Sequence, residues 1–71
     1  MKSQDPSIEL LQRIVNLFTN GKFQQALTNS NHLLEIFPNS VILRNISGAC
    51  NAELMQFDDA IDSYKKALEI K

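Results

Sequence analysis

The 71-residue chain has no tryptophan, a single cysteine, a single histidine, two glycines and two prolines. A lone cysteine cannot build a disulfide framework, and one histidine beside it cannot complete an ordinary zinc site. The fold must therefore hold by packing alone. With so little glycine there is no phosphate-cradling loop, and no nucleophile elbow or Cys/His pair at metal spacing occurs. No apolar run approaches the 18 or so residues of a membrane span, and Met1 to Asp5 is polar, unlike a secretory leader. A cytoplasmic protein without a membrane partner is expected. Basic excess is missing too. Seven Lys and Arg stand against eight Asp and Glu, net charge −1, with both halves near balance. Such a chain has no basic stripe to neutralise phosphates, so nucleic acid is not an expected partner.

What is present is apolar character, 44% of the residues. A chain of this length forms one small domain that buries only about 60% of its unfolded surface. A deep enzyme cleft is not expected. Punctuation is sparse and regular: Asp5-Pro6, Asn20-Gly21 and Pro38-Asn39-Ser40. Asp-Pro suits an N-cap and first helical position, Gly after Asn a left-handed C-cap, and Pro38 stops what precedes it. Four helices are predicted, over Pro6 to Asn20, Lys22 to Phe37, Ser40 to Met55 and Phe57 to Ile70.

Periodicity agrees. At 100° per residue Phe23, Ala26, Leu27, Ser30, Leu33, Leu34 and Phe37 fall on one stripe, as do Phe57, Ala60, Ile61, Tyr64, Ala67 and Leu68. The last helix carries Asp58, Asp59 and Asp62 early and Lys65, Lys66 and Lys71 late, the order that the helix dipole favours. That explains the carboxylates without a cation, and Asp62 with Lys66 adds an i,i+4 pair. Neither a metal, a cofactor nor a catalytic residue is expected. On the third helix Leu43, Ile46, Cys50 and Leu54 form the inner stripe. Cys50 is thus expected to be a small buried hydrophobe, with no basic neighbour to activate it. His32, opposite the Phe23/Leu27/Leu34 stripe, is expected to be solvated.

Compared with itself at an offset of 34 residues, the chain aligns Phe23 with Phe57, Ala26 with Ala60, Leu27 with Ile61, and Leu34-Glu35-Ile36 with Leu68-Glu69-Ile70. It is a duplication with a helix pair per unit. Gly21, Phe23, Ala26, Leu33 and Pro38 in the first unit, and Gly48, Phe57, Ala60, Tyr64 and Ala67 in the second, resemble the small and aromatic positions of the tetratricopeptide repeat. The resemblance spans Ile8 to Lys71. It implies an all-α fold of two tandem units, about residues 7 to 40 and 41 to 71, with four antiparallel helices in a right-handed superhelical stack. Departures occur at Leu10 and Arg44, where the family has an aromatic residue, and at Ile14, where it has Gly or Ala. Size exchange accounts for the last: bulky Ile14 is expected to face Ser30, and Gly48 to face large Tyr64.

The resemblance also implies a protein-interaction module whose first helices line a concave groove. In this sequence the groove positions are Ile8, Leu11, Gln12, Val15, Phe18 and Thr19, then Ile42, Asn45, Ile46, Ala49, Ala52 and Glu53. Family members that clamp a peptide carboxylate carry Lys and Asn there. Leu11, Val15 and Ala49 occupy the corresponding places, so that clamp is not expected and the groove should be apolar. Either these residues complete a compact four-helix core that closes the groove, or they meet a protein, a peptide or a second copy. Two units are few for independent stability and no polar capping helix is seen in the sequence after Ile70-Lys71, so a fragment of a larger protein, a dimer or a marginal monomer is expected, self-association foremost. Ile61, Tyr64 and Leu68 are expected to stay uncovered in a monomer, giving a self-association end and a homo-oligomer. Leu10-Leu11, Phe18, Gly21, Phe23 and Ala26-Leu27, followed by Asn45 and Gly48, also resemble the opening of bacterial proteins whose repeats precede a transferase domain. That resemblance implies an accessory scaffold with the active site elsewhere.

Overall fold

The structure is a computed structural model that describes residues 4–70. Four helices follow in order, α1 (Ile8–Thr19), α2 (Phe23–Ile36), α3 (Val41–Glu53) and α4 (Phe57–Ile70), and no strand occurs among the described residues. The molecule measures 37 × 26 × 15 Å. The thin dimension has room for two layers of helices at their usual separation of about 8–10 Å. Substantial packing runs only between helices consecutive in sequence, most extensive for α3 on α4 and least for α1 on α2. This is a tandem stack, and the groove between α1 and α3 stays open.

The 34-residue offset seen in the sequence recurs in the backbone at the ends of α1 and α3. At the end of α1 the N–H of Gly21 donates to Phe18 O at 3.0 Å and that of Lys22 to Leu17 O at 2.9 Å. At the end of α3 Met55 donates to Ala52 O at 3.0 Å and Gln56 to Asn51 O at 2.8 Å. Both are Schellman closures, which need a left-handed residue just past the helix. Gly21 supplies it with φ 78°, and Met55, 34 residues on, with φ 63°. A glycine adopts that conformation freely; a methionine does so against steric resistance. The N-caps repeat too. Ser7 Oγ accepts from Leu10 N–H at 3.3 Å and Ser40 Oγ from Leu43 N–H at 3.2 Å.

The start of α1 differs from the sequence expectation. Ser7 is the N-cap, and Pro6 lies buried ahead of the helix rather than at its first position. Asp5 instead accepts a hydrogen bond from Ser40 Oγ at 2.5 Å, tying the N-terminal segment to the cap of α3. A hydroxyl can cap one helix and donate elsewhere at once, which fixes Ser40 in full burial. The other ends agree with the expected punctuation, with α2 ending before Phe37-Pro38. Lys71 lies outside the described residues.

Ile14, Ala26, Leu27, Leu43 and Cys50 form the core, flanked by Leu17, Leu33, Leu34 and Leu54 among others. The whole expected stripe of α2 is buried or half-buried. Ser30 is fully buried, its hydroxyl satisfied by Ala26 O at 2.8 Å. Between α2 and α3 the packing is partly polar: Ser47 Oγ donates to Asn31 Oδ1 at 3.2 Å, and Asn51 is buried beside them. Gly48 lies under the ring of Tyr64, where a Cβ would come within 2.8 Å of two ring atoms. This is the size exchange expected between Gly48 and Tyr64; Ile14 and Ser30, the other expected pair, are both buried.

Candidate interaction surfaces

The first surface is the groove between α1 and α3. Val15 and Phe18 on α1 converge with Asn45, Ile46 and Ala49 on α3 around a cleft of about 200 Å³. Its walls are apolar apart from Asn45. Phe18 is held by an edge-to-face contact with Phe23, ring centroids 5.1 Å apart and planes at 68°. Such contacts are worth about 0.5–1.5 kcal/mol beyond burial and restrict the ring, so this wall is preformed. Of the expected groove positions, Val15, Phe18, Asn45, Ile46 and Ala49 meet here. Leu11 packs against the core instead. Ile8 is exposed at the N-terminal end of α1, and Ile42 and Ala52 stand on α3 outside the cleft, the former exposed and the latter half-buried.

The second surface is the outer side of α4. Phe57, Ile61, Tyr64 and Leu68 are 58%, 55%, 40% and 74% exposed. The helix buries only Ala60 and Ala67 fully against α3, and these small residues allow the close, extensive contact between the two helices. Phe57, Ile61 and Leu68 therefore face outward, while Tyr64 lays one side of its ring on Gly48 of α3 and leaves the other to solvent. Between them and α3 lies a cleft of about 300 Å³ lined by Val41, Asn45, Tyr64, Ala67 and Leu68. The sequence placed Ile61, Tyr64 and Leu68 at this end and did not assign Phe57 to it. Spacing alone could have added Phe57, since it continues the same seam one turn earlier. Its repeat mate Phe23 is half-buried because Phe18 covers it; at the place of Phe18 the second unit has Ala52, too short to do the same.

Charged groups are peripheral. Lys66 Nζ pairs with Asp62 Oδ2 at 3.3 Å on the solvent face of α4, as the i,i+4 spacing predicts. Exposed pairs of this kind are worth a few tenths of a kcal/mol. Arg44, which stands where the resemblance implies an aromatic residue, sends Nη2 to Pro38 O at 3.0 Å and so fixes the turn before α3. His32 is exposed beside Leu10 and Arg13. Cys50 is fully buried, and burial pushes its thiol pKa up. A thiol held protonated is a poor nucleophile and a poor ligand. Among the described residues no helix is long and apolar enough to cross a membrane.

Comparison of the chain with protein-family models, with curated proteins and with solved structures finds no match.

Proposed function

We propose that this chain is a protein-interaction module of two tetratricopeptide-type units that seats an apolar side chain of a partner helix or peptide in the α1/α3 groove. The observation carrying the reading is the preformed apolar cleft of Val15, Phe18, Asn45, Ile46 and Ala49, left open where the most extensive packing runs between helices consecutive in sequence. About 200 Å³ accommodates one large side chain, and the Asn45 amide offers a single polar group to a partner backbone. Affinity would come from burying that side chain, and specificity from shape, because no charged anchor lines the cleft.

The test uses peptides selected from a random displayed library against the whole chain. Amide shifts on titration should concentrate at Val15, Phe18 and Ala49, and Ala49→Arg should abolish binding while leaving the helical circular dichroism intact. Selected peptides that perturb only other faces, or that bind Ala49→Arg as well as the parent, would remove the groove reading.

A further inference from the structure

The four exposed side chains of α4 follow one another at spacings of four, three and four residues, Phe57, Ile61, Tyr64 and Leu68. That is the spacing of the heptad seam of a two-helix coiled coil, met by α3 at Tyr64, whose ring lies over Gly48, and otherwise open. On one flank of the seam lie Ala60 and Ala67, buried under α3. On the other, open flank lie Asp58 and Lys65, seven residues apart and therefore at the same heptad position. Both are exposed, and among the described residues neither forms an ion pair.

Opposite charges at one heptad position distinguish the orientations in which a second helix could lie on this seam. A two-fold axis crossing α4 between Ile61 and Tyr64 sets Phe57 of one copy against Leu68 of the other, and Ile61 against Tyr64. Flanking residues on the same side then meet each other, so Asp58 faces the partner's Lys65 and Lys65 the partner's Asp58. A single charge pattern is satisfied twice by the symmetry. In a parallel pairing each would face the alanine flank instead, which α3 already covers. The shape agrees: the cleft beside Tyr64, Ala67 and Leu68 lies where the partner's Phe57 ring would arrive.

We propose that α4 is a homodimer interface in which two copies pair their α4 helices antiparallel about a two-fold axis. This surface borders the groove at Asn45, which lines both clefts, but Val15, Phe18 and Ala49 lie only in the groove. Exposures of 40–74% on four large side chains leave on the order of 100 Å² each to bury, roughly 800 Å² over both copies. Even with all of that area covered, this is below the roughly 1,200 Å² at which stable specific interfaces begin, so the dimer is weak and concentration-dependent.

Sedimentation equilibrium on the full chain, from about 10 μM to about 1 mM, should show reversible monomer–dimer exchange. Asp58→Lys and Lys65→Asp should each weaken association about tenfold, since each puts like charges together at two symmetric places, and the double swap should return it to within about twofold of the parent. Leu68→Glu should abolish the dimer with helicity unchanged, and Ala49→Arg in the groove should leave it intact. A parent that stays monomeric throughout overturns the proposal. So does a double swap that fails to restore association, which means another orientation, or dissociation by Ala49→Arg, which means another surface.

Discussion

Replacing Gly48 by alanine sets two known effects against each other at one atom. Gly48 lies inside α3, where glycine costs about 0.5–1 kcal/mol relative to alanine, so helix propensity favours the substitution. The new Cβ would sit 2.8 Å from Cε1 and Cζ of Tyr64 and 3.0 Å from Cδ1, well inside the roughly 3.5–4.0 Å at which carbons rest. Overpacking of this kind costs about 1–3 kcal/mol, and the half-exposed ring can yield only by lifting off α3. The net expectation for Gly48→Ala is a loss of about 1 kcal/mol, seen as a fall of about 4–8 °C in Tm by circular dichroism. With Tyr64→Ala in the background the obstruction is gone, and Gly48→Ala should stabilise by about 1 kcal/mol. The sign change is the diagnostic, a coupling of roughly 2 kcal/mol in a double-mutant cycle. If Gly48→Ala stabilises equally in both backgrounds, the ring does not lie over Gly48 and the size-exchange account is wrong.

Other consequences follow from single residues. Met55 holds φ 63° with most of its surface exposed, so Met55→Gly should raise stability by about 0.5–1 kcal/mol, whereas Gly21→Ala, 34 residues earlier, should lower it by about 1 kcal/mol; chemical denaturation of the pair checks both signs. Ser40→Ala removes the α3 cap and the link to Asp5 together, and should cost about 1–2 kcal/mol in the same assay. Cys50 should resist thiol reagents until denaturant unfolds the chain. Because burial raises its folded-state pKa, its contribution to stability is complete below the unfolded thiol value of about 9.0 and is lost as pH rises through the folded value. The parent should therefore lose more stability than Cys50→Ala between pH 8 and pH 10, and an equal loss in the two would contradict the burial.

Local periodicity made α2 legible in full, because seven residues on one stripe leave no other face to bury. The turn at Asn20-Gly21 was legible for the same local reason. The start of α1 was not: Asp5-Pro6 has cap chemistry, but the two residues that follow let Ser7 take the cap and free Asp5 for Ser40, 35 residues away. Met55 gave no local sign of a left-handed conformation, since only its repeat alignment with Gly21 marks the position. Nor did Asn51 announce its burial, which results from α2 and α3 coming together around Ser47 and Asn31. For the interaction surfaces, five of the expected groove positions converge and the others do not, because helix phase predicts which residues share a face and not where the neighbouring helix stops covering them.

The statement on which most depends is that two hairpins leave α4 with an apolar seam that water touches in the isolated chain. Thermal unfolding followed over a hundredfold range of protein concentration tests it directly, with Leu68→Glu beside the parent. The parent midpoint should climb with concentration while that of Leu68→Glu stays flat, and the two should converge at high dilution. A parent midpoint independent of concentration, with Leu68→Glu lower by the same amount at every dilution, would mean that Leu68 is already covered within its own chain.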